Sequence, residues 1–132
     1  MPLSKILDVE GLINEQQQDS LEIAIVDFIN SKKIDLIILT IDDLYPYENL
    51  KEFTTGQSEK WKIGARYERG GIIVAISKKL NEINIYLSET VEQILTESEC
   101  TEITVKEVIP HFDQGNYYKG ILNCIGALKK KV

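Results

Sequence analysis

Thiol and imidazole side chains, which serve as nucleophiles and metal ligands, are scarce in this sequence. The chain holds two cysteines, Cys100 and Cys124, and one histidine, His111. The cysteines form no C-x-x-C pair, so a zinc site of the finger type is excluded. Cys100 stands beside Glu99 and close to Glu102, without the cations that activate a thiol. The two cysteines can form a single bridge or remain two small buried hydrophobes, and we favour the second interpretation.

His111 is the only imidazole, and the two arginines are the side chains best suited to bidentate anion binding. For a lone histidine, a packed or surface imidazole is a more common role than a general base. Arg66 and Arg69 are the only arginines and fall in one loop, so any bidentate phosphate clamp depends on them. The glycine pair at 70–71 precedes a strand rather than a helix, so it is no phosphate-cradling loop. No Ser-His-Asp spacing and no dinucleotide fingerprint occurs, and we expect no nucleotide cofactor.

Composition limits the class of protein. The 132 residues suffice for one domain with one core. With 43% hydrophobic and 27% charged residues, the chain is neither disordered nor fibrous. Its 21 acidic against 15 basic residues give a net charge of −6, which argues against nucleic acid as a partner. No apolar stretch is long enough to span a membrane, and residues 1–5 lack the apolar region of a signal peptide.

The hydrophobic pattern predicts several helices. Asn14 caps the first, with Gln17 in the reciprocal position of a capping box, and the helix ends near residues 31–33. A second helix spans 48 to about 61, and further helical segments follow residue 88, the last from about Asn116. Apolar residues at helical spacing define the buried face of the first helix: Leu21, Ala24, Ile25, Phe28 and Ile29.

Three strands complete the predicted fold. Residues 34–42 and 71–77 are nearly continuous apolar runs, typical of strands buried on both faces. The helical connection between them predicts a parallel pair in a right-handed βαβ unit. Residues 82–87 alternate apolar and polar, which predicts an antiparallel edge strand beside the second. We therefore expect a single α/β domain over residues 1–132, with a small mixed sheet and helices packed on both faces.

Four segments, in this order, resemble the TPM domain family of bacterial envelope proteins and thylakoid proteins. Residues 7–13 are similar to the family's valine-x-aspartate followed by glycine-valine-leucine, and residues 61–64 to its tryptophan-x-isoleucine-glycine. Residues 71–76 resemble its glycine-valine-leucine-leucine strand, and residues 109–121 its proline-x-phenylalanine, glycine-x-tyrosine and glycine-leucine stretch. The likeness covers nearly the whole chain. It implies a divalent metal site, often discussed as calcium, and in plant members an acid phosphatase activity.

The implied metal site would draw carboxylates from separated loops. Calcium takes six to eight oxygens, and the ligand crevice of an open α/β sheet lies at the carboxyl ends of its strands. The candidate ligands are Asp8, which matches the family's early aspartate, Asp42, Asp43 and Glu68, with Glu92 as the weakest candidate. Glu68 precedes its strand, so it meets the aspartate pair only if its loop folds back. Each acid also has a structural interpretation, in a turn, at a strand end or in the first turn of a helix.

Several polar positions of the family are changed in this chain. Arg69 stands where the family carries an acid or asparagine before the strand, and its charge disfavours a nearby cation. Ser88 and Thr90 replace two glycines after the third predicted strand, and only Glu92 remains of that stretch. A member of a family can keep the fold and lose the activity. We therefore expect little or no phosphatase activity, and weak binding of any divalent cation.

Three functions remain open. We rank first a non-catalytic module that binds calcium or magnesium with low affinity, and second a metal-dependent acid phosphatase. The third is a protein interaction module of an envelope complex that uses the loop tyrosines Tyr45, Tyr47 and Tyr67. The resemblance implies the cell envelope if an export leader has been removed, whereas a complete chain of this sequence would be cytoplasmic.

Overall fold

A computed structural model describes residues 4–132 as one four-stranded sheet flanked by helices. The strands are β1 (Ile6–Asp8), β2 (Asp35–Thr40), β3 (Gly71–Ser77) and β4 (Glu82–Leu87), in that order across the sheet. The helices are α1 (Glu15–Lys32), α2 (Leu50–Trp61), α3 (Glu89–Glu92), α4 (Glu97–Ile103), α5 (Ile109–Asp113) and α6 (Tyr117–Lys131). A π-helical turn at Thr104–Val108 joins α4 to α5.

The central strands confirm the predicted βαβ unit. β2 and β3 are adjacent and parallel, with Asp35 opposite Gly71 and Thr40 opposite Ile76. Every residue of these two strands is buried, as their apolar sequences predict. β4 pairs antiparallel with β3, and all its residues keep some exposure to solvent. The predicted small mixed sheet with an antiparallel edge strand is therefore confirmed.

The sheet separates two hydrophobic layers, because helices cover both of its faces. The larger layer lies under α1, α4 and α6, and its α1 and α6 members are Leu21, Ile25, Phe28, Ile29, Ile121, Cys124, Ile125 and Leu128. The smaller layer lies under α2, where Leu50 and Phe53 pack against residues of β2 and β3. The prediction of helices on both faces is confirmed.

Local signals place the ends of the long helices. The Asn14 side chain accepts a hydrogen bond from Gln17 N at 2.8 Å, and Gln17 Oε1 accepts one from Asn14 N at 2.9 Å. This is the predicted capping box. α1 ends where Lys33 adopts a left-handed conformation, φ 58, and donates its N–H to Ile29 O. Asn116 caps α6 in the predicted place by accepting from Lys119 N.

β1 has no counterpart among the predicted strands. Three residues are too few to show a period of two, and of the three only Ile6 is buried. β1 pairs parallel with β2, which sets Asp8 opposite Thr40. The tertiary pairing therefore brings Asp8 to the same edge of the sheet as the end of β2.

Candidate functional site

Asp8 is already engaged by the protein's own hydrogen-bond donors. Its Oδ1 accepts from Leu12 N at 2.9 Å and from Thr40 Oγ1 at 2.8 Å, and its Oδ2 accepts from Ile13 N at 2.9 Å. The half-buried carboxylate thus ties the loop before α1 to the end of β2. Among the interpretations of Asp8, the structure supports a turn-forming role directly.

Asp42 and Asp43 lie in the loop after β2, at the carboxyl edge of the parallel strands. Both side chains are exposed. Asp43 Oδ1 accepts a hydrogen bond from Tyr45 N at 3.0 Å, the geometry of an Asx turn. Since β1 and β2 are parallel, the structure brings Asp8, Asp42 and Asp43 to the same edge of the sheet.

Glu68 and Glu92 lie at the opposite edge. Glu68 is exposed in the loop before β3, and β2 separates it from Asp42 by a strand length of about 17 Å. Glu92 is exposed in α3, which follows the end of β4, and antiparallel β4 ends beside the start of β3. The loop of Glu68 does not fold back toward the aspartate pair. The predicted ligands are therefore divided between two edges of the sheet.

Arg69 also belongs to the edge that holds Glu68. Its guanidinium donates hydrogen bonds to Lys32 O at 2.9 Å and to Val132 O at 3.1 Å. These bonds connect the loop before β3 to the ends of α1 and α6. Its position explains why its charge does not act on Asp42 and Asp43 at close range.

The available side chains limit the kind of metal site that this protein can form. Within residues 4–132, no three Asp, Glu, His or Cys side chains are placed to hold one metal ion. A calcium ion held by three or more carboxylates therefore does not fit the described residues. The two exposed carboxylates of Asp42 and Asp43 could coordinate only a weakly held ion that keeps most of its water ligands.

The thiols and the imidazole are placed as packing groups. Both cysteines are free and buried, so the favoured interpretation of two small hydrophobes is confirmed. Burial, with Glu99 and Glu97 nearby, raises the pKa of Cys100 to about 11, and burial raises that of Cys124 to about 12. Thiols with such pKa values stay protonated and are poor nucleophiles at neutral pH. His111 Nε2 lies 2.9 Å from Asn123 Nδ2, which occupies that ring nitrogen.

The three loop tyrosines do not form one surface. Tyr45 is 87% exposed in the loop after β2. Tyr47 packs edge-on against Phe53, with ring centroids 5.8 Å apart. Tyr67 precedes β3 at the other edge of the sheet and is partly buried against the larger layer. An interaction surface that uses all three together therefore does not exist in this fold.

A buried ion pair is the main polar feature that the sequence pattern did not identify. Asp35 is fully buried at the start of β2, and its Oδ1 accepts from Lys5 Nζ at 2.9 Å and from Leu36 N at 2.9 Å. Its Oδ2 has no hydrogen-bond partner among the described residues. An acid inside an apolar run was the available signal, because such an acid needs a cation or several donors.

Comparisons with known proteins give a family and a set of similar folds. The family model described as TPM domain matches residues 6–131. No curated protein matches the chain. No helix among residues 4–132 has the length and apolar character needed to cross a bilayer.

Three solved structures share the fold at low sequence identity. The N-terminal domain of a P. gingivalis protein has a TM-score of 0.84 at 19% identity, over 96% of this chain and 80% of that one. The N-terminal domain of a Corynebacterium glutamicum protein has a TM-score of 0.75 at 12% identity, over 98% and 80%. The BA42 protein of Bizionia argentinensis has a TM-score of 0.79 at 11% identity, over 93% and 83%. At these identities the likeness shows the fold alone.

Proposed function

This chain belongs to the TPM domain family, and we propose that it is a non-catalytic member that binds a divalent cation weakly at the carboxyl edge of β1 and β2. Calcium and magnesium are the ions proposed, because the available ligands are carboxylate and backbone oxygens. The proposal rests chiefly on one observation. Asp8, at the position of the family's early aspartate, already accepts three hydrogen bonds from donors within the protein.

A carboxylate engaged in this way is a poor catalyst but still a modest ligand. Asp8 Oδ2 accepts a single hydrogen bond, so it retains acceptor capacity for an ion. Asp42 and Asp43 are exposed and lie at the same edge. Few and loosely held carboxylates correspond to dissociation constants of about 10⁻⁴–10⁻³ M.

The proposal is tested by amide chemical-shift titration with calcium and with magnesium. We expect shifts centred on residues 8–13 and 40–45, with a dissociation constant of about 10⁻⁴–10⁻³ M. Asp42→Asn/Asp43→Asn should remove the shifts. Glu68→Gln/Glu92→Gln removes the same charge at the opposite edge and should leave them unchanged. Shifts that are lost only in the second pair would contradict the proposal.

A metal-dependent acid phosphatase is the alternative function. The family resemblance favours it, whereas Arg69, Ser88 and Thr90 at changed family positions argue against it. The assay is hydrolysis of p-nitrophenyl phosphate with calcium, magnesium or zinc at acid and neutral pH. We expect no turnover above that of the Asp8→Ala variant. Robust turnover that requires metal and disappears in Asp8→Ala would establish the alternative.

A further inference from the structure

β4 forms an open edge of the sheet. Within residues 4–132 it pairs with β3 alone. Ser88 donates its backbone N–H to Gly71 O, and in an antiparallel ladder such hydrogen-bonded pairs recur at every second residue. The even-numbered residues of β4 are therefore those that bond to β3. The hydrogen bonds between β3 and β2 support the same assignment, because Ile41 N donates to Ile76 O. The backbone groups of the even-numbered residues of β3 therefore face β2, and those of its odd-numbered residues face β4.

The odd-numbered residues of β4 direct their N–H and C=O groups outward. These are Ile83, Ile85 and Leu87. Their side chains are only partly buried, against the larger hydrophobic layer. A row of free backbone groups beside apolar side chains is the feature to which an added strand binds.

A continuous groove follows this open edge. A cleft of ≈620 Å³ runs along residues 83–87, between α2 and α4. A second cleft of ≈600 Å³ lies at the start of β4, between the first turn of α2 and α5. Both clefts are lined by Lys51, Ile83, Asn84 and Thr104, so they join into one groove. We call this the β4 groove.

Charges in the β4 groove follow a pattern along its length. Glu82 and Asp113 line the end near the start of β4, and Glu92 and Glu97 line the other end. Lys51 lies between the two ends, where the clefts join. Lys78, at the first end, rests over the Tyr117 ring with its Nζ 5.7 Å from the ring centroid. Carboxylates outnumber ammonium groups, so the groove complements a segment with cations at its ends.

We propose that the β4 groove binds an extended segment of a partner protein as a fifth strand, with alternating apolar residues in its middle and Lys or Arg at both ends. Hydrogen bonds to the backbone of residues 83, 85 and 87 would supply affinity, and the acidic ends would select the sequence. The proposal goes beyond weak cation binding and does not depend on it, since Asp42 and Asp43 follow β2 rather than β4.

A second copy of this chain is a poorer occupant of the groove. Each chain carries a net charge of −6. When two β4 strands pair, in either direction, an acidic end of one groove faces an acidic end of the other. Like charges placed opposite each other are destabilising, whereas a basic peptide relieves this repulsion.

The test uses the capped peptide Lys-Arg-Val-Thr-Val-Thr-Val-Arg-Lys as the probe. We expect amide chemical shifts along residues 82–88 and slowed hydrogen exchange at the amides of Ile83, Ile85 and Leu87. Proline in place of the central valine and of the threonine that follows it removes an N–H donor from each edge of the added strand, including the edge that faces β4, and should abolish binding. A peptide with Glu in place of Lys and Arg should not bind.

Two pairs of protein variants separate backbone pairing from charge. Ile85→Pro removes an outward N–H without removing a bond to β3, so it should abolish binding, whereas Ile85→Val should bind normally. Glu82→Lys/Glu97→Lys should weaken binding by about fivefold to tenfold. Glu59→Lys/Glu107→Lys makes the same change in net charge outside the groove and should have little effect.

Several results would overturn the proposal. One is no binding of the basic peptide; another is binding that protects none of the three amides or that both charge-reversal pairs weaken equally. Concentration-dependent dimers that protect the same amides would make a second copy the occupant instead. If Ile85→Pro does not fold, the exchange data and the charge-reversal pairs on the folded protein still decide the question.

Discussion

Two carboxylates partly or fully removed from solvent at opposite edges of the sheet are stabilised by different kinds of partner. Asp8, at the carboxyl edge, is half-buried and accepts from two backbone amides and a threonine hydroxyl. Asp35, at the amino edge, is fully buried and depends on the Lys5 ammonium. Lys5 keeps 24% of its side chain exposed, so the pair connects the interior to the surface.

The difference shows how partner type sets the cost of losing an interaction. Backbone amides freed near the surface can bond to water, so the loss of Asp8 is partly compensated. A carboxylate that stays buried after its cation is removed has no such replacement. The amino edge is therefore the part of the sheet whose stability depends most on charge.

Among the substitutions considered, we expect Lys5→Met to reduce the stability of the fold most. It leaves the Asp35 carboxylate buried without its cation, and we expect the free energy of unfolding to fall by about 3 kcal/mol. Urea denaturation measures this change. The double variant Lys5→Met/Asp35→Leu should recover most of the loss, because it removes the unpaired charge as well. A loss below about 1 kcal/mol in Lys5→Met would show that solvent reaches Asp35.

Asp8→Ala comes next. It leaves the amides of Leu12 and Ile13 without their acceptor, and we expect a loss of about 2 kcal/mol by the same measurement. Asp19→Ala, at an exposed position of α1, is the control and should change stability by less than about 0.5 kcal/mol. If Asp8→Ala were as mild as the control, the loop before α1 would not depend on the carboxylate.

Arg69→Ala tests the remaining contacts of the amino edge. It removes the hydrogen bonds to Lys32 O and Val132 O, and we expect a loss of about 1 kcal/mol. Arg66→Ala removes the other, exposed arginine of the same loop and should have a smaller effect. Equal effects of the two substitutions would mean that net charge matters rather than these bonds.

The smallest effect is expected at the carboxyl edge. Asp42→Asn/Asp43→Asn should change the free energy of unfolding by less than about 0.5 kcal/mol, since both side chains are exposed. Thermal denaturation in the absence and presence of calcium checks this expectation. A large loss of stability without calcium would assign the pair a structural role and would sharpen the contrast with Asp8.

The sequence predicted the central architecture because its signals are local. Asn14 with Gln17 predicted the start of α1, and the apolar runs of β2 and β3 predicted buried neighbouring strands. The alternation in β4 predicted an antiparallel edge strand. β1 was missed because three residues carry no period, and its pairing with β2 is a long-range contact.

The candidate site was predictable only in part. Parallel β1 and β2 bring Asp8 to the edge that Asp42 and Asp43 occupy, but no local pattern in the sequence contains this pairing. Whether Glu68 could join these aspartates depended on whether its loop folds back toward them, which the sequence left open. The buried pair of Asp35 and Lys5 joins residues far apart in the chain, so only an acid within an apolar run hinted at it.

The sequence by itself determined the helix ends, the two buried strands, the family and the lack of an imidazole cluster or a C-x-x-C pair. These follow from residue types, short spacings and composition. Only the tertiary structure decided which carboxylates share an edge, which of them are already hydrogen-bonded, and that β4 borders an open groove. The physical reason is that strand order and burial arise from contacts between distant residues, and a carboxylate's chemistry depends on the donors those contacts bring to it.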